Sequence, residues 1–217
     1  RPELDWRSDE IDTALNEAGT LVFETDVSSP EAAREMMNFI STHAVFTDGR
    51  QLTSLLDKSE QAELQAALDY LDYPLGAMQT FRPWYAAVNL SVLQMQKDGF
   101  DPSAGVEQVL EREGKAAGKN FAYLETIEEQ LGRFANLPDD EQVDFLVSSA
   151  ESVEEGSEML DVLVSEWEDG DVKAFSDAIR SVARDLEDGM LDAMESKSLK
   201  KADEKKISLL LESKLER

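Results

Sequence analysis

The sequence predicts a helix-dominated α/β or α+β fold, with a small central sheet flanked by many helices. Residues 20–25 form a short apolar, β-branched run after Gly19, and residues 120–125 form a second run of strand character. Most of the remaining chain places apolar residues at helical spacing. Two short strands among many helices therefore define the fold class.

The first half of the chain carries clear helix signals. Ser29-Pro30 supplies a cap residue followed by proline at the first helical position. A turn around Asp48-Gly49 precedes a second helix from about Ser59 to Tyr70. Pro83 begins the most hydrophobic helix, which is apolar nearly all round and is therefore expected in the centre of the fold.

The second half is predicted to be helical on both sides of the second strand. A helix over about 103–117 is expected to end at Gly118, a suitable C-cap residue. Two further apolar stripes follow at helical spacing, and Asp171 is a candidate helix cap. Their members are Val143, Leu146, Val147, Ala150 and Val153, and then Phe175, Ala178, Ile179, Val182 and Leu186.

The C-terminal tail differs from the rest in charge. Residues 195–217 contain seven basic and five acidic residues, whereas the whole chain has 21 basic and 47 acidic residues and a net charge of −26. We therefore predict a domain over 1–194 and a lysine-rich amphipathic tail over 195–217. The tail is either a C-terminal helix of the domain or a segment foreign to it.

Strong acidity restricts the partners. Nucleic-acid affinity comes largely from Lys and Arg, so nucleic acids and anionic membranes are not expected partners. The acidic surface is either a solvated surface or a means of recruiting a basic protein or peptide.

No run approaches the ~20 apolar residues of a spanning helix, so membrane insertion is not expected. The chain opens with Arg1, and a targeting segment is expected to lie outside it.

The composition excludes several kinds of active site. The chain has no cysteine and one histidine, so neither a thiolate site nor a zinc site with two imidazoles can form. His43 follows a helix and is expected to be exposed or capping.

The positive candidates are acidic: Glu24 and Asp26 at the end of the first strand, and Glu125 at the end of the second. If the strands are parallel neighbours, these carboxylates meet where open α/β sheets bind ligands. They could hold a cation or perform acid–base chemistry, or they could be solvated or capping groups.

An ordered series of segments resembles the bacterial TraB/GumN family. The series covers about residues 4–190. It comprises Leu4-Asp-Trp-Arg7, Ile11-Asp-Thr-Ala14, Leu21-Val-Phe-Glu24, Arg82-Pro-Trp84, residues 93–101, Gly105-Val-Glu107, residues 111–119, and Leu124-Glu-Thr126 with Gln130. The family is similar to the Tiki proteases and to the erythromycin-esterase and ChaN-like fold. The resemblance implies a metal-dependent, protease-like hydrolase and makes a bacterial cell-envelope or periplasmic location an expectation.

The resemblance assigns candidate catalytic residues. Glu24 matches the family's strand-ending glutamate, Glu125 matches its Leu-Glu-Thr glutamate, and Glu107 stands where the family often has aspartate. Both Gly-x-x-His motifs are missing, since they would lie just before Arg1 and beyond residue 194, and His43 is preceded by Ile40 where the motif needs glycine. The domain is therefore expected to be truncated at both ends and inactive as given. The divalent metal implied by the resemblance is not expected to be held by this chain alone.

Three interpretations remain open at this point. The chain is a truncated hydrolase-like domain, an acidic helical module that binds an unknown protein or peptide, or one segment of an enzyme completed by a second chain. Self-association through an exposed sheet edge is expected if strands are missing.

Overall fold

The computed structural model describes residues 4, 6–168, 173, 176–177 and 179–180. These residues form eight α-helices, two β-strands and three short 3₁₀ turns. In chain order the helices and strands are α1 (Asp9–Glu17), β1 (Thr20–Phe23), α2 (Pro30–His43), α3 (Lys58–Tyr70), α4 (Pro83–Lys97), α5 (Val106–Ala116), β2 (Asn120–Tyr123), α6 (Ile127–Ala135), α7 (Asp139–Glu151) and α8 (Val153–Glu168). The predicted helix-dominated α/β class is confirmed.

The two strands are parallel neighbours, as the proposed strand-end site requires. Thr20 pairs with Asn120 and Phe23 with Tyr123, so their carboxyl ends lie at the same edge. Helix α5 covers one face, and Gly114 makes this close packing possible. A Cβ atom at Gly114 would lie 2.5 Å from the Leu21 Cδ1 atom. The sheet and α5 therefore form one tightly fitted unit.

Helices α3, α4 and α7 enclose the larger core. Each contributes buried aliphatic side chains from one face, and neighbouring loops close the ends. The buried members are Leu52, Leu56, Leu64, Ala67, Leu68, Leu71, Met78, Ala86, Ala87, Leu90, Val143, Leu146, Ala150 and Val153. This cluster holds most of the buried aliphatic side chains among the described residues.

A second core surrounds Trp84 at the start of α4. Trp84 is fully buried against Phe39 of α2, in an edge-to-face arrangement with the ring centroids 6.3 Å apart. Its indole Nε1 donates a hydrogen bond of 3.0 Å to the His43 carbonyl oxygen. Ile127 at the start of α6 belongs to the same cluster. Trp84 thus joins three helices and satisfies its own polar atom.

Several boundaries differ from the sequence predictions. Helix α1 was not predicted, although Ile11, Leu15 and Ala18 stand at helical spacing and Ser8 caps its N-terminus. Helix α5 begins at Val106 and not near 103, since residues 102–104 form a 3₁₀ turn. The apolar stripe through Val153 crosses a break at Ser152, where α7 ends. Helix α4 is central only in its first turns, because Val92 and Met95 are exposed.

Contacts group the chain into two units, Arg1–Leu160 and Asp161–Arg217. Both cores belong to the first unit. The predicted tail over 195–217 and the predicted cap at Asp171 lie outside the described residues, and of the second predicted stripe only Ile179 is described. Among the helices that the structure describes, none combines the length and the apolar character needed to cross a membrane.

Candidate functional site

The turn after β1 is shaped by its own polar side chains. The Asp26 carboxylate accepts hydrogen bonds of 3.0 Å from the backbone N–H groups of both Ser28 and Ser29. Ser29 in turn caps α2, its hydroxyl accepting from the Ala32 N–H. These bonds fix Ser28 in a strand–turn–helix connection at the carboxyl edge of the sheet.

A buried carboxylate lies behind this turn. Glu111 of α5 is 5% exposed, and its Oε1 atom accepts a short hydrogen bond from the Ser28 hydroxyl. The Lys115 Nζ atom lies 3.1 Å from the same oxygen and donates to the Ser28 Oγ atom at 2.5 Å. The Tyr123 hydroxyl, at the end of β2, lies 3.5 Å from Glu111 Oε1. We call Asp26, Ser28, Glu111, Lys115 and Tyr123 the sheet-edge cluster.

The cluster alters the ionisation of two of its members. Burial raises the pKa of the Tyr123 hydroxyl, and the negative charges of Asp26 and Glu111 raise it further. For Asp26, burial acts to raise the pKa. The hydrogen bonds from Ser29 and Ser28 and the charge of Lys115 outweigh it, so the pKa of Asp26 is lowered. Tyr123 is therefore neutral and Asp26 charged at neutral pH.

The three glutamates predicted from the resemblance lie in different surroundings. Glu24 is exposed just after β1, and Glu107 is exposed in the first turn of α5. Glu125 is partly buried, and its Oε1 atom accepts a short hydrogen bond from Arg133 of α6. The alternation of burial along the strands continues past their ends, with Glu24 on the exposed face and Glu125 on the covered face. The backbone joins them, since the Glu125 N–H donates to the Glu24 carbonyl oxygen at 2.8 Å. Their catalytic roles stay a prediction.

Two buried oxygens at this edge have no hydrogen-bond partner in the structure. They are the Thr25 Oγ1 and Glu125 Oε2 atoms, each two residues beyond a paired strand residue, Phe23 and Tyr123 respectively. Buried polar atoms normally have a partner, and exceptions often mark sites for water or a ligand. The carboxyl edge is thus polar on both strands.

The candidate metal ligands Glu24, Glu125 and His43 do not fit the divalent metal that the resemblance implies. In the part of the chain that the structure describes, no three His, Cys, Asp or Glu side chains converge as a metal site would require. Glu125 faces the positive charge of Arg133, and Glu24 is exposed. His43 is exposed at the end of α2, where its ring stacks on Phe39. The described donors supply too few ligands for catalytic zinc, which takes three protein side chains.

Sequence reasoning selected Asp26 but missed most of the sheet-edge cluster. Glu111 and Lys115 stand four apart, a spacing that brings side chains together on a helix, and this signal was available. The contact with Ser28 was not, because 83 positions separate Ser28 from Glu111 and only the packing of α5 on the sheet joins them.

The fold and site define a helix-rich α/β domain with a polar site at the carboxyl edge of a parallel strand pair. The TraB/PrgY/gumN family model matches residues 1–210, and the chain belongs to this family. No curated protein and no solved structure shows a significant match.

Proposed function

We propose that the chain is a hydrolase-like domain whose working site is the carboxyl edge of β1 and β2. The observation that carries the proposal is the burial of Glu111 beneath Ser28, with donors from three different elements directed at one carboxylate oxygen. The carboxylate is held within hydrogen-bond distance of the Ser28 hydroxyl, which is the geometric requirement for a general base. Its position, beyond the carboxyl ends of parallel strands, is where α/β sheets bind ligands.

The proposal does not extend to metal-dependent, protease-like catalysis by this chain alone. That reaction needs imidazole ligands, and the chain has a single histidine. We therefore propose that the chain as given is inactive in the metal-dependent reaction, and that Glu24, Glu107 and Glu125 do not hold a catalytic metal by themselves.

Calorimetric titration with Zn²⁺, Mn²⁺ and Co²⁺, combined with a fluorogenic peptide assay, tests this. We expect no stoichiometric sub-micromolar binding and no metal-stimulated hydrolysis, because the remaining oxygen ligands suit hard ions and hold them weakly. His43→Ala is the control for weak binding by the exposed imidazole. Tight binding that survives His43→Ala, with hydrolysis lost in Glu24→Gln or Glu125→Gln, would return the family's metal chemistry to this chain.

A second candidate function is that of an acidic interaction module. The uncovered sheet face presents Val22 and Leu124, which are 58% and 73% exposed. Exposed apolar groups of this kind favour association with a protein surface. On this proposal the chain binds a protein partner, or a second copy of itself, without catalysis.

A further inference from the structure

We propose that Ser28 is a covalent nucleophile that accepts the acyl group of a carboxylic ester without a metal. Glu111 acts as its general base, and Lys115 stabilises its developing negative charge. This inference rests on the proposed hydrolase-like function of the sheet edge and supplies it with a reaction that the described residues can perform.

The hydrogen-bond directions around Ser28 match this assignment. The hydroxyl donates to the Glu111 carboxylate, so its proton already points at the base. The Oγ atom accepts from the Lys115 ammonium group at 2.5 Å, which places a positive charge beside the oxygen that attacks. Serine nucleophiles activated by an adjacent general base recur on unrelated folds.

Burial and hydrogen bonding assign different roles to the side chains of the sheet-edge cluster. Glu111 is buried, whereas Ser28 is exposed and can reach a substrate. Tyr123 lies against the same Glu111 oxygen and helps to orient the base. Asp26 holds the backbone of Ser28 through the 3.0 Å bond to its N–H, immediately before α2. A helix N-terminus adds favourable potential for negative charge in this turn.

The proposed step is balanced within the cluster and substrate. The Ser28 oxygen forms a bond to the ester carbonyl carbon as its proton passes to Glu111. The carbon–alkoxy bond then breaks, and the leaving alkoxide takes the proton from Glu111. Water subsequently attacks the acyl-serine ester, with Glu111 accepting the water proton, which passes to the Ser28 oxygen as the acid product leaves.

Fluorophosphonate labelling followed by intact-mass spectrometry tests the nucleophile. The Ser28 oxygen would displace fluoride from phosphorus, with the proton again passing to Glu111. We expect one adduct per chain in the presence of EDTA, and no adduct with Ser28→Ala. Ser41→Ala is the matched control, because Ser41 is another exposed serine, whose hydroxyl donates to the Asn38 carbonyl oxygen. This variant should label as the unchanged protein does.

The role of Glu111 as general base is tested by the rate of ester hydrolysis. Hydrolysis of p-nitrophenyl acetate should show a burst of one nitrophenolate per chain. Glu111→Gln should slow the burst by roughly 100-fold or more, the usual effect of removing a general base. An unlabelled protein, or an adduct that persists in Ser28→Ala, overturns the proposal. If Glu111→Gln fails to fold, Ser28→Ala still tests the nucleophile. The Ser28 side chain is exposed, so its removal should leave the fold intact.

The proposed Ser28 nucleophile and the proposed absence of metal-dependent catalysis can fail independently. Absence of labelling rules out Ser28 as the nucleophile and has no bearing on the result of the metal titration. Metal-stimulated hydrolysis that persists in Ser28→Ala contradicts the metal-free assignment without requiring any change in the labelling of Ser28.

Discussion

Trp84 shows how one residue can hold several helices together. Its ring is fully buried against Phe39, and its Nε1 atom bonds the carbonyl oxygen that ends α2. We expect Trp84→Ala to lower the free energy of unfolding by about 3–5 kcal/mol, the usual cost of deleting a large core side chain. Urea denaturation measures this change.

Two further variants are compared with Trp84→Ala in the same denaturation experiment. Trp84→Phe keeps an aromatic ring but leaves the His43 carbonyl oxygen without its donor, so a smaller loss of about 1–3 kcal/mol is expected. Glu24→Gln alters an exposed side chain and should change stability by no more than about 0.5 kcal/mol. If Glu24→Gln were as destabilising as Trp84→Ala, Glu24 would be a structural hydrogen-bonding group and its proposed functional role would lose its basis.

Asp26 makes the stability of the folded chain depend on pH through the turn after β1. Its pKa in the folded chain is below the ordinary value of 3.8, so its charged form stabilises the fold above that value. This stabilisation is lost as the pH falls through the lowered pKa. Asp26→Asn should therefore cost roughly 1 kcal/mol at pH 7, through its weaker hydrogen bonds to Ser28 and Ser29, and progressively less in acid.

Urea midpoints for Asp26→Asn and the unchanged protein, taken from pH 7 down to the lowest pH at which both stay folded, measure this difference. Glu24→Gln controls for loss of a charge at the same strand end. A difference that is constant with pH would show that Asp26 acts through packing alone.

At the scale of elements, the contact of α5 with the sheet depends on Gly114. An added Cβ atom would lie 2.5 Å from Leu21 Cδ1 and 3.1 Å from Phe121 Cζ, and both side chains are partly covered. We expect Gly114→Ala to destabilise by about 1–2 kcal/mol, because this overpacking exceeds the gain in helix propensity. Thermal and urea unfolding measure the effect.

Gly132 of α6 is the matched control. A Cβ atom there would meet only the Asn136 Nδ2 atom at 3.3 Å, and that side chain can move. Gly132→Ala should be neutral or stabilising by up to about 1 kcal/mol. The loss caused by Gly114→Ala should be smaller when residue 21 is already alanine, because the closest contact is then absent. If Gly114→Ala stabilised as much as Gly132→Ala, the close approach of α5 to β1 would be wrong.

At the scale of the whole molecule, a net charge of −26 opposes association while the uncovered sheet face favours it. Salt screens the repulsion between copies and leaves apolar contact intact. We therefore expect light scattering to show a mass that rises with salt concentration. Leu124→Glu should reduce this rise.

Met37→Glu is the matched control, since Met37 is 71% exposed on α2 and Leu124 is 73% exposed beside the sheet. Both variants add one negative charge, so they differ only in the surface altered. A monomer at every salt concentration, or an equal response of the two variants, would contradict self-association through the sheet face.

The sequence by itself determined the features that depend on local chemistry. Ser29-Pro30 and Pro83 mark the starts of α2 and α4, and Gly118, with φ of +68°, ends α5 as expected. Backbone preference and capping act within a few residues, so they can be read from neighbours in the chain. The two strands and the acidic strand end at Asp26 were predicted on the same basis.

Only the tertiary structure decided which side chains meet. The parallel pairing of β1 with β2 and the packing of α5 across them bring Ser28 to Glu111, although each looks like an ordinary polar residue in sequence. Burial then separates similar carboxylates: Glu111 is enclosed, whereas Glu24 and Glu107 are solvated. Local spacing does not determine this burial, because it depends on the packing of segments that are distant in the chain.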